Sequence, residues 1–320
     1  MINKRQYVIL SFFLTRALFL GGGFSLLVNL TKNNLLLCDL IGTILGLIIL
    51  YFLYKKDSIN KHVCSIIAIF VLFINTLSNN VLTNTYLLYN TPTLFIVLFF
   101  FFIVLYGCNK KIKVVGRVSE ICVILSILAI ILANIGLIPL MKLEKIFPLF
   151  NASFSNTLKG IIIFCGASLL PNILLLKYKE NVSFKHVGFG YLLGCLTAIL
   201  VSAFICSIYG TEFGSIVRIP EYLILKKIDI FDYITNMENV LVMEWIMNII
   251  ISAFICTITL KNNVNSFIFY GIIASIILAS EFLLSRNYVI VLFIKNYFYY
   301  IAFILVLIGL ILKKDKKQNE

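Results

Sequence analysis

The chain has 320 residues, 61% of them hydrophobic and only 13% charged, and a mean hydropathy of +1.03. So little charge cannot cover a water-facing surface, which excludes a soluble globular protein and leaves a polytopic membrane protein. The formal net charge of +13 would suit nucleic acid, but the lysines fall in short clusters between apolar runs; this fits membrane topology, and no nucleic-acid partner is expected.

A membrane helix needs about 20 mostly apolar residues. On that ruler the chain contains ten spans, near residues 6–29, 34–54, 63–89, 92–107, 118–140, 157–177, 186–209, 237–260, 265–284 and 289–312. The opening Met1-Ile-Asn-Lys-Arg5 imitates a signal peptide but has no small-residue cleavage site, so the first apolar run is read as a retained helix. That first span carries Arg16 and the triplet Gly21-Gly22-Gly23 where a plain anchor would carry leucine. Three glycines remove most of a turn of side-chain packing, and an arginine inside hydrocarbon marks a functional site by default.

The third span carries Asn75, Thr76, Ser78, Asn79, Asn80, Thr83 and Asn84. Spacings of four residues make two adjacent polar stripes, expected to line the bundle interior or a water-filled path. The short fourth span starts at Pro92, a residue suited to a first helical turn. At the head of the fifth span, Glu120 is expected to partner Arg117 at the interface. The sixth span reads Cys165-Gly166-Ala167-Ser168 with Pro171 just beyond, and is expected to kink or open around Ala167.

Between the seventh and eighth spans lies one long connection, 210–236, whose stretch Pro220 to Ile228 is amphipathic. It is expected to lie on the membrane surface or to cap the bundle. The eighth span carries Glu244, Asn248 and Ser252 four apart. At ~1.5 Å per residue, Glu244 lies about 12 Å below one face of the membrane and Arg16 about 15 Å from the other. Across a ~30 Å core these depths nearly coincide, so the two residues can pair.

Lys and Arg crowd one set of connections: Lys4 and Arg5, Lys55 to Lys61, Lys110 to Arg117, Lys177 to Lys185, Lys261 and the tail Lys313 to Lys317. The positive-inside rule makes this set cytoplasmic and puts both termini inside. Eight cysteines are scattered singly, with no CxxC and no histidine cluster, so no metal or cofactor is expected. Without a catalytic motif or an attached soluble domain, no enzyme is expected either.

Breaks in spans one and six, five spans apart, mark a five-plus-five inverted repeat, with repeat one near 6–140 and repeat two near 157–312. The fold class is therefore an all-α integral membrane protein of ten transmembrane helices, with helices 1 and 6 broken. Half-helix ends at such breaks present N–H groups to a carboxylate and carbonyls to an ammonium or cation, which suits an amino acid. Arg16 is open to three roles: carboxylate clamp, partner of Glu244, or gate of the inner half.

Ile2 to Gln6 with Thr15 to Gly21, Arg117 to Ile121, and above all Arg218-Ile-Pro-Glu-Tyr-Leu-Ile-Leu-Lys-Lys-Ile228 running into Asp232 to Trp245 resemble the spore germination permeases. These are the integral-membrane B components of nutrient germinant receptors, within the amino acid–polyamine–organocation superfamily. The resemblance implies a small-nutrient site, assembly with an A-type membrane subunit and a C-type lipoprotein, and sensing of the nutrient rather than its accumulation. It also implies a place in the bacterial cytoplasmic membrane, specifically the inner spore membrane. Carried over by position, Gly21, Gly22, Gly23, Cys165, Gly166 and Ala167 would form the pocket. Asn79 and Glu244 would stand on its walls, with Arg16, Glu244 and Asn248 as gating or coupling residues. The alternative is a stand-alone proton- or sodium-coupled amino acid transporter.

Overall fold

A computed structural model describes residues 2–56, 59–148, 152–217, 219–228, 237–286 and 288–312. Arg218, the Asp232 to Asn236 stretch and the Lys313 to Lys317 tail lie outside the described residues. All regular structure among the described residues is helical. In chain order the helices are α1 (Lys4–Ala17), α2 (Gly23–Thr31), α3 (Leu35–Lys55), α4 (Lys61–Leu82), α5 (Thr93–Cys108), α6 (Ile112–Leu137) and α7 (Phe154–Leu175). They continue with α8 (Phe184–Phe204), α9 (Thr211–Ile216), α10 (Pro220–Leu225), α11 (Met237–Asn263), α12 (Ser266–Arg286) and α13 (Tyr288–Ile311).

Seven described stretches are long and apolar enough to cross a membrane, beginning at Gly23, Lys61, Ile112, Phe154, Phe184, Leu241 and Ser266. Two shorter apolar helices, Thr93–Cys108 and Tyr297–Ile311, lie among them. Helix starts follow local chemistry. Asn3 and Gln6 form a capping box at α1, the Asn60 side chain accepts from the N–H groups of His62 and Val63 at α4, and Ser153 caps α7. Pro92 stands immediately before α5.

Burial sorts the helices into layers. The apolar window of α7 is 83% buried and those of α4 and α11 72%, against 17% for α6 and 22% for α12. So α4, α7 and α11 form the middle of the bundle, while α6 and α12 turn faces such as Ile121, Ile124 and Leu278 outward. An outward face that apolar suits hydrocarbon, as the composition requires.

The lysine-bearing connections gather at one end of the bundle. There the Tyr54 hydroxyl donates to the Val182 carbonyl at 2.8 Å, and Lys177 Nζ donates to Asn263 Oδ1 at 2.8 Å. Glu120 meets Arg5 at 3.7 Å and accepts from Gln6 Nε2 at 3.4 Å. Its partners come from α1, which packs against α6, rather than from Arg117 on its own helix as expected.

The predicted opening in the sixth span is not formed. α7 runs unbroken from Phe154 to Leu175 with Pro171 inside it. One missing N–H costs a single helical bond, and packing on every side leaves the helix no room to open. Asn172 Nδ2 donates to the Ser168 carbonyl at 2.9 Å, keeping the turn around the proline closed. At the end opposite the lysine-rich one, α9 and α10 form a cap. Pro220, Glu221, Tyr222, Ile224 and Leu225 are buried, so the amphipathic stretch plugs the bundle instead of floating on its surface.

Candidate functional site: a broken first helix beside a buried ion pair

The first span is interrupted. Helix α1 stops at Ala17 and α2 starts at Gly23, with Gly21 at φ 78° and Gly22 at φ 111° between them. Left-handed backbone costs an L side chain roughly 1–2 kcal/mol and glycine nothing, which explains Gly21 and Gly22, while a Cβ on Gly23 would meet the Tyr299 hydroxyl at 2.7 Å. The interruption frees backbone groups, and other elements take them up. The Gly22 N–H donates to Glu221 Oε1 of α10 at 3.2 Å, and the Tyr299 hydroxyl of α13 donates to the Leu18 carbonyl at 2.7 Å. Ser78 of α4 closes a third side, since a Cβ built on Gly21 would sit 3.1 Å from the Ser78 Cβ. Phe164 of α7 packs its ring 4.9 Å from that of Phe19.

Directly before the break, Arg16 and Glu244 form a bidentate pair: Nη1 to Oε1 at 2.9 Å and Nη2 to Oε2 at 3.0 Å. Ser126 Oγ of α6 donates to the same Oε1 at 2.7 Å, and the guanidinium lies 4.9 Å from the Phe12 ring centroid. Both partners are buried, at 7% and 3% exposure, so the planar fork and the hydroxyl replace the water each charge has lost. A cavity of about 70 Å³ touches Arg16, Glu221 and Glu244, with apolar walls from α6, α8 and α11. One water needs only ~10–15 Å³ of such space, so water fits and an amino acid does not while Glu221 holds Gly22.

One turn along α11, Asn248 is fully buried and neither atom of its amide has a protein partner. Beyond it, Ser252 Oγ accepts from Asn75 Nδ2 at 2.9 Å. The polar wall of α4 is divided. Asn75 faces α11 and Ser78 faces the break, but Asn80 Nδ2 donates to the Thr93 carbonyl and Asn84 Nδ2 to the Thr91 carbonyl. Those two asparagines tie down the link to α5. Asn79 is buried on α4, one position along from Ser78.

Of the expected pocket residues of α7, Gly166 faces α13. A Cβ on Gly166 would meet the Phe303 backbone N at 2.8 Å, so that glycine lets α7 and α13 approach closely. Cys165 and Ala167 are fully buried on either side of it. A polar side chain of α7 that reaches the first span is Asn172. It accepts from Ser11 Oγ at 2.7 Å and donates to Thr15 Oγ1 at 2.9 Å, one residue before Arg16.

Three contributors carry no role in the sequence reading. Glu221 was visible in the amphipathic stretch, but only the fold shows its carboxylate reaching Gly22. Ser126 and Asn172 carry no signal that sets them apart from the other small polar residues of their spans, such as Asn134 and Ser168. Elsewhere, on α3, the lone carboxylate of the second span, Asp39, is also fully buried. No model of a known protein family matches the chain, and no curated protein matches it.

Proposed function

We propose that the chain is a nutrient-sensing membrane subunit of a spore germinant receptor, built as a transporter that binds a small nutrient such as an amino acid. In this reading ten helices cross the bacterial cytoplasmic membrane as two five-helix inverted repeats, with both termini inside and the cap of α9 and α10 outside. An A-type membrane subunit and a C-type lipoprotein are the partners. The observation that carries the reading is the break at Gly21 and Gly22, whose backbone N–H is held by a carboxylate of the cap. A helix end that accepts Glu221 also accepts the carboxylate of a small ligand. Arg16, beside it, is committed to Glu244, which favours a latch or gate over a ligand clamp.

A second reading, a stand-alone proton- or sodium-coupled transporter, is favoured by Glu244 and Asn248 sharing one face of α11. Reconstitution into proteoliposomes separates the two. The receptor binds amino acid saturably without concentrating it under an imposed proton or sodium gradient. The transporter accumulates it, and Glu244→Gln abolishes accumulation. Absence of both binding and uptake for every amino acid would reject both readings.

A further inference from the structure

The lysine-rich end of the bundle holds a cleft of about 690 Å³, far larger than the cavity beside Arg16. It opens where the end of α3, the start of α4 and the turn between α7 and α8 meet. Five lysines line it (Lys55, Lys56, Lys61, Lys177 and Lys179), against one described acid, Glu180. That imbalance sits in a concavity within the ~300–1,000 Å³ range of small-ligand sites.

The five lysines divide into two groups. Lys56 Nζ donates to the carbonyls of Gly309 at 3.2 Å and Leu312 at 3.1 Å, and also to that of Leu310, so it caps the end of α13. Lys179 Nζ donates to the Tyr54 carbonyl at 2.5 Å and to the Lys56 carbonyl, capping α3. These two neutralise helix C-termini and hold the cleft together. The other three are exposed and add charge the helix ends do not consume. Lys55 lies 4.6 Å from the Tyr51 ring centroid, and Lys177 spends one donor on Asn263. An ammonium has three donors, so each keeps capacity for a ligand. Buried Leu53, Leu176 and Val182 give the cleft an apolar floor beneath this rim.

We propose that this cleft binds a phosphate-bearing anion, either the headgroup of an anionic lipid or a soluble phosphate compound. Compact lysine charges over an apolar floor match a phosphate with hydrocarbon attached, and basic pockets between membrane helices take such headgroups. The cleft is independent of the break in the first helix, so its occupancy can be measured without knowing the nutrient.

The test uses the full chain in nanodiscs of phosphatidylcholine with or without phosphatidylglycerol, and in detergent with or without inorganic pyrophosphate. Thermal unfolding midpoint and lipid retention in native mass spectrometry are the readouts. Phosphatidylglycerol should raise the midpoint and be retained. Lys55→Gln/Lys61→Gln/Lys177→Gln should weaken the affinity on the order of a hundredfold, at roughly fivefold per lysine. Ser183→Asp, at the position preceding α8, keeps a good helix-starting residue while adding a negative charge to the cleft; it should weaken binding with the midpoint in phosphatidylcholine unchanged. The charge-matched Lys142→Gln/Lys159→Gln/Lys226→Gln, away from the cleft, should bind like the wild type. A response to phosphatidylglycerol alone identifies a lipid, and a response to pyrophosphate as well identifies a soluble phosphate ligand. No response to either anion, or wild-type affinity in both cleft variants, would overturn the proposal.

Discussion

Arg16 and Glu244 stand 228 positions apart in the sequence and meet through two parallel hydrogen bonds at 2.9 and 3.0 Å in the bundle interior. The pair locks α1 to α11 immediately before the first helix breaks, and Ser126 adds α6 to the same carboxylate. Removing one charge leaves the other buried and uncompensated, whereas removing both relieves the desolvation cost altogether. Arg16→Gln and Glu244→Gln should therefore each lose about 3–5 kcal/mol. Arg16→Met/Glu244→Leu should recover more than half of that loss. Denaturation of the purified variants in detergent measures it, and additive losses in the double variant would show that the pair is not coupled.

Glu221 is the cap's hold on the break. Glu221→Ala leaves the buried Gly22 N–H without that acceptor, a loss of about 1–3 kcal/mol. Glu221→Gln keeps an oxygen at the same place and should lose less. Hydrogen exchange at residues 18–25 should quicken in the alanine variant and stay near wild type in the glutamine one. Equal exchange in all three would mean that the cap does not hold the break.

Gly22 is the position where the turn itself demands glycine. At φ 111°, Gly22→Ala should destabilise by roughly 1–2 kcal/mol through backbone strain alone. Gly271, where an added Cβ would meet no heavy atom within 4 Å, is the matched comparison, and Gly271→Ala should be neutral or slightly stabilising. Thermal midpoints compare the two directly.

Pro171 separates a working hinge from a tolerated residue. Because α7 is continuous, Pro171→Ala restores one helical hydrogen bond and should hold or raise the thermal midpoint without changing nutrient binding. Loss of binding with an intact fold would restore the hinge reading of the sixth span.

The helices were legible because apolar runs of membrane length leave few alternatives, and the break was legible because three glycines suit neither packing nor helix. Depth alone allowed an Arg16–Glu244 pair as one of three roles for Arg16, and only the fold puts α1 and α11 in contact. Other features turned on information a single sequence lacks. Pro171 reads the same whether its helix opens or is clamped by neighbours, and here Asn172 and close packing on α13 decide for the clamp. The asparagines of the third span look like one polar wall, yet Asn80 and Asn84 donate to the carbonyls of Thr93 and Thr91 where α5 begins. The amphipathic stretch 220–228 reads equally as a surface helix or a cap, and only the fold shows Glu221 buried against Gly22.

The central claim, that the break in the first helix is a ligand site, meets its most direct test in equilibrium binding of a labelled amino acid panel to the full chain in nanodiscs. Wild type should bind at least one amino acid saturably, and Gly22→Leu should lose that binding while its circular dichroism remains helical. Saturable binding that survives in Gly22→Leu, or none across the whole panel, would contradict it.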